Sequence, residues 1–112
     1  MLITTQDKFK EYEIVKTFGL VRGNTIRARH VGKDILASLR TIVGGEITEY
    51  TKMLAESREQ AIDRMEATAK ARGANAIVAL RFSTSAVMQG AAELMAYGTA
   101  VKIRKREPND SE

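Results

Sequence analysis

TEYTKMLAESREQAIDRMEATAKAR, Thr48–Arg72, followed directly by Gly73, is the stretch that decides the fold of this 112-residue chain. Tyr50, Leu54, Ala61, Ile62, Met65 and Ala69 recur with the helical period and form one apolar stripe. Glu56, Glu59, Asp63 and Glu66 fall on the opposite side, flanked by Lys52 and Lys70. A helix of this kind is marginal alone, so its stripe must lie on something, and the flanking segments supply a sheet. Gly73 provides the stop, since glycine takes the left-handed position after a helix at least steric cost.

Downstream of that stop the period changes to two. Across Ala76–Val87, Val78, Leu80, Phe82 and Thr84 alternate with Ile77, Ala79, Arg81, Ser83 and Ser85, which predicts a strand. Met88–Ala91 is the expected hairpin connection, and Ala92–Arg104 its partner strand. That strand carries Met95, Tyr97, Thr99, Val101 and Ile103 on one face and Leu94, Ala96, Gly98 and Ala100 on the other. Residues 105–112, KREPNDSE, hold the only proline and read as a disordered polar tail behind a single domain of residues 1–104.

Upstream, Met1–Thr5 has strand character and is followed by a polar connector, QDKFKE. Tyr12–Arg22 alternates, with Tyr12, Ile14, Phe18 and Leu20 expected on one face and Glu13, Val15, Thr17 and Val21 on the other. Gly23-Asn24 signals a bulge or a hairpin turn, after which Thr25–Arg29 either resumes the strand or turns back. Val31, Ile35, Leu39 and Ile42 predict a short helix over Val31–Val43, with Asp34 in its first turn, and Gly44-Gly45 ends it. The expected architecture is α+β: a short and a long helix packed on one face of an antiparallel sheet, in a β-α-β-β order.

Composition narrows the chemistry. The chain has no cysteine and a single histidine, so it has neither a disulfide framework nor the donors of a soft-metal site. No apolar run approaches the roughly 20 residues of a membrane span, and the N-terminus lacks a signal peptide's apolar middle, so a cytoplasmic location is expected. With no G-x-S-x-G, no cysteine and no second histidine, nucleophilic catalysis finds no support. The acidic ridge of the long helix could attract a hard cation, but a convex helix face does not enclose one. His30 beside Arg27, Arg29 and Lys33 is inadequate alone as a metal site, and Met53, Met65, Met88 and Met95 suit core filling. The net charge is +4, with Arg22, Arg27, Arg29, Lys33 and Arg40 in the first half, which permits but does not require a nucleic-acid partner. Arg58 interrupts the apolar stripe: buried, it would need an acceptor and become a site candidate; snorkelling, it would not.

Both faces of the last two strands are apolar or small. Two helices on one side cannot cover that surface, so self-association is expected.

The segments RHVGKDILASLRTIVGGEITEYTKMLAESREQA, GANAIVALRF and YGTAV closely resemble the YbjQ family of heavy-metal-binding proteins, over Met1 to about Ile103. The resemblance implies a subunit of dodecin-like shape whose sheets continue across a ring-like homopentamer. With the polar, glycine-marked turn between the two helices, such a ring is expected to hold a small ligand or metal ion at subunit boundaries, a structural ring or a basic nucleic-acid-binding module being the alternatives. The motif positions around the turn between the helices, Arg40, Gly44, Gly45, Glu46 and Tyr50, are then the ligand-binding candidates together with Arg58, and Asp34 and Asn75 are structural caps.

Overall fold

The computed structural model describes residues 1–27, 48–88 and 91–107, the side chains of Arg27, residues 48–53, Val87, Met88 and Ala91 excepted. The expected short helix, with His30, Asp34, Arg40, Gly44, Gly45 and Glu46, lies outside the described residues.

In chain order the elements are β1 (Leu2–Ile3), β2 (Tyr12–Arg27), α1 (Thr48–Ala71), β3 (Ala76–Met88) and β4 (Ala91–Lys105). They build an α+β unit in which α1 packs on a four-stranded sheet of order β1-β3-β4-β2. The sheet is mixed rather than antiparallel, because β1 runs parallel to β3 while β3–β4 and β4–β2 are antiparallel. The parallel edge exists because Met1–Thr5 returns beside the start of β3, where Thr4 N donates to Ile77 O at 3.0 Å and Leu80 N to Thr4 O at 3.0 Å.

The helix ends as its residues dictate. Gly73, at φ +94°, takes the left-handed position, Gly73 N donates to Lys70 O and Ala74 N to Ala69 O. That paired pattern satisfies two of the last carbonyls, and Ala69 and Ala74 close it with an apolar contact in the core. Of the predicted stripe, Ala61, Met65 and Ala69 are fully buried and Leu54 and Ile62 half-buried. Small residues at two of the three buried positions let the helix lie close to the strands.

The closest approach is at Gly23. A Cβ there would stand 2.0 Å from Ala61 O and 2.5 Å from Met65 N. Gly23-Asn24 is therefore neither turn nor bulge: β2 continues through it in register with β4, and the glycine makes room for the helix. The irregularities of β2 lie earlier, between Ile14 and Lys16 and between Thr17 and Gly19, where Gly19 has φ +102°. Two bulges in succession flip the alternation and restore it. Phe18 thereby packs on the helix side against the cluster of Val21, Met65 and Ile77, while Leu20 points to the other face, which corrects the expectation that they share one.

A second cluster, Ala76, Val78, Val101 and Ile103, occupies one end of the sheet's opposite face. Phe9 and Tyr12 cover it, their rings edge to face with centroids 6.1 Å apart. Phe9 belongs to the segment read as a polar connector, so that segment is partly a lid on this cluster. Asn75 fixes the start of β3 beside it: its side chain donates to Ile103 O at 2.9 Å and accepts from Ile103 N at 2.7 Å. Asn75→Ala removes both bonds from a backbone already in the sheet. A loss of about 1–3 kcal/mol is expected in urea unfolding, with Asn75→Asp recovering only the acceptor half.

Candidate functional site

Register places the residues of the face that α1 leaves open. Residues directly opposite one another across a sheet point to the same side. Ala96, Gly98 and Ala100 of β4 are buried toward the helix, so Glu93, Met95, Tyr97 and Thr99 line the open face. Across β2 their partners are Ile26, Asn24, Arg22 and Leu20, and across β3 Tyr97 faces Arg81 and Met95 faces Ser83. The centre of the open face is thus a cross-strand row, Arg22–Tyr97–Arg81.

Arg81 reaches this face through a backbone irregularity. Strict alternation puts Arg81 with Ile77, on the helix side. Ala79, however, has φ +57°, a left-handed conformation rare for a residue with a side chain, and the register shifts between Val78 and Arg81. Leu80 therefore joins Ile77 against the helix and Arg81 turns to the open side. Gln6 O accepts from Ala79 N at 2.8 Å, which holds the bulge against β1. Ala79→Gly relieves the left-handed strain and is expected to raise stability by about 0.5–1 kcal/mol in urea unfolding, against the opposite sign for Ala→Gly in a regular strand.

The surroundings of the row are mainly neutral. Leu20, Thr99 and Val78 form the next row on one side, and Asn24, Met95 and Ser83 the next on the other. Arg22 and Arg81 are exposed and Tyr97 is half-buried. Arg81 Nη1 donates to Thr5 O and Leu80 O, both at 2.8 Å, which anchors its guanidinium toward β1. Glu93 stands two rows further along and accepts from Asn24 Nδ2 at 2.9 Å.

Among the described residues the helix side shows no comparable constellation. Arg58 is exposed, with Nε 3.4 Å from Leu54 O, so its stem lies on the helix and its head in solvent. Tyr50 is in α1, with its side chain outside the described set. Arg64 and Arg72 donate to Asn24 O and Leu20 O, capping carbonyls of the edge strand β2. Glu56, Glu59 and Asp63 border only a shallow open groove with Ala55 and Gln60. The sequence reading missed Tyr97 and Arg81 as neighbours; the hairpin register was the one signal for them, and the bulge at Ala79 shifts it.

The chain matches, over residues 1–104, the model of the YbjQ family, described as "Putative heavy-metal-binding". The chain belongs to the YbjQ family. Its relatives include a UPF0145 protein of Dehalococcoides mccartyi strain BAV1, 64% identical over 92% of this chain and 99% of the relative. A UPF0145 protein of Methanococcus vannielii is 63% identical over 94% of this chain and its own full length, and one of Clostridioides difficile is 59% identical over 92% of each. A crystal structure of a protein of unknown function from the DUF74 family, from Pediococcus pentosaceus, superimposes with a TM-score of 0.61 at 18% identity, covering 93% of this chain and 98% of that one. That likeness concerns the fold.

The YbjQ label can be tested against the donors. Among the described residues no group of three or more His, Cys, Asp or Glu could hold a metal ion. The only buried soft donor described, the Met65 thioether, is packed in the core. With no cysteine and one histidine in the whole chain, the residues do not fit a soft-metal centre. No helix among the described residues is long and apolar enough to cross a membrane.

Proposed function

We propose that this YbjQ chain is a self-assembling cytoplasmic binding protein, with copies joined edge to edge into a dodecin-like, ring-shaped homopentamer that holds a small ligand or ion at subunit boundaries. The observation that carries this reading is the open sheet face, where Leu20 and Ile26 remain 57% and 60% exposed on a long edge strand. Lone exposed apolar residues are ordinary, but these stand on one strand at a sheet edge that no described strand pairs. At the far side of the sheet, β1 pairs with only Ala76 and Ile77, and nothing among the described residues pairs the outer edge of β3 from Arg81 onward. A β2 edge of one copy meeting a β3 edge of the next is a heterologous contact, which closes into a ring when its rotation permits.

Light scattering on the purified chain at micromolar concentration tests this. Five copies of 12.4 kDa give about 62 kDa (5 × 12.4); a mass near 12.4 kDa overturns the reading. The double variant Leu20→Lys, Ile26→Lys is expected to shift the population toward the single chain while its circular dichroism is retained.

A further inference from the structure

We infer that the row Arg22–Tyr97–Arg81 binds a small organic anion bearing a planar aromatic group, of which a nucleoside monophosphate is the type. The inference goes beyond the reading of the chain as a binding module, because the row is centred on β4 within one chain and not at a subunit boundary. Two guanidinium groups share one face with a half-exposed phenol between them. Their strands are two sheet spacings apart, about 10 Å between backbones, and the Arg81 guanidinium, held toward β1, stands beyond that, so the ligand must carry its anionic group at one end of a planar ring system rather than bridge both arginines with one group.

Charge supports the same ligand. On β4 the acid of this face is Glu93, about 13 Å along the strand from Tyr97 at four residues' rise, and it already accepts from Asn24; Asp7 follows Thr5 and Gln6 on the β1 side of Arg81. Among the described residues neither arginine forms an ion pair, in contrast to Arg104, which is paired with Glu13 on the other face. Arginine presents a planar fork of donors suited to phosphate or carboxylate, and an aromatic ring at its side stacks a planar group. The polar contacts of Arg81 with Thr5 O and Leu80 O hold its fork in place and engage only Nη1. The left-handed Ala79 bears on this too, because the bulge that turns Arg81 to the open face places it opposite Tyr97.

The test is calorimetric titration of the full chain with AMP, with adenosine and inorganic phosphate run separately. Saturable AMP binding is expected, about tenfold or more tighter than either fragment, since each supplies only part of the contact. Arg22→Ala and Arg81→Ala should each weaken AMP by about tenfold or more, the scale of one charge-assisted hydrogen bond. Tyr97→Phe should retain affinity and Tyr97→Ala lose it, while Lys16→Ala, on the helix side, should leave it unchanged. Absence of saturable binding, or AMP affinity untouched by both arginine variants, overturns the site; phosphate binding as tightly as AMP overturns its aromatic half. Light scattering on the same samples separates the two proposals. A monomer that binds AMP removes the ring and leaves the site, and an oligomer that ignores AMP does the reverse.

Discussion

Gly23→Ala is expected to destabilise the chain by about 3 kcal/mol, at the upper end of what overpacking costs. The added methyl would sit 2.0 Å from Ala61 O and 2.5 Å from Met65 N, with Arg64 Cβ at 3.0 Å. Two of these three are backbone atoms of α1, which no rotamer change can move. Relief requires sliding or lifting a 24-residue helix whose buried stripe is already seated on β2 and β4. The restriction of the unfolded chain by alanine returns only about 0.4–1 kcal/mol. Urea unfolding at one fixed protein concentration measures the change, the concentration held because association shifts apparent stability. Gly73→Ala is the informative comparison: space is open there, with Phe18 at 3.8 Å, but φ is +94°. Its cost is conformational and should stay near about 1 kcal/mol. Equal losses at the two glycines would mean that the close approach of helix and strand at Gly23 is not as tight as the geometry requires.

This contrast shows where sequence was informative. Period and punctuation place the C-terminal end of α1 to within a residue and assign the two faces of β4, because a long amphipathic stripe and a regular strand both obey simple periods. They mislead wherever one residue is added. The bulges before Lys16 and Gly19 send Phe18 and Leu20 to opposite faces, and the one at Ala79 exchanges the faces of the residues after it. Glycine at least marks the second bulge. Nothing in the residue type marks Ala79, whose left-handed backbone is held by β1 and the segment after it, which lie 70 or more residues earlier in the chain.

The glycine at 23 was visible but ambiguous. Gly-Asn is strong turn chemistry, and a helix resting on a strand glycine leaves the same local mark. The candidate site was legible only in part. Arg22 stood out as a basic residue, and Tyr97 as one of an alternating series, but their meeting with Arg81 depends on two registers and a bulge. The wheel places Arg58 in the apolar stripe, but the residue is exposed and its Nε donates to Leu54 O of its own helix, so it is not the buried guanidinium that would need an acceptor from elsewhere.

Met65→Ala is expected to cost about 2–5 kcal/mol, the range for truncating a fully buried large side chain. Met65 is the largest side chain of the described core and is completely enclosed. It is seated among Val21, Ile77, Ala61 and Ala69, where the neighbouring alanines have no atoms to spare for refilling the space. Met65→Leu, close in volume, should cost less than about 1.5 kcal/mol. Pairing the truncation with Gly23→Ala asks which part of Met65 opposes the strand. Since the obstacle at Gly23 is the Met65 amide nitrogen and the Ala61 carbonyl, removing the thioether side chain gives the new methyl no room. The double variant should therefore be at least as unstable as the two losses combined, and, with so little stability to spare in a domain this size, largely unfolded without denaturant. A double variant more stable than Gly23→Ala alone would show instead that side-chain packing, and not the helix backbone, sets the distance between α1 and the sheet.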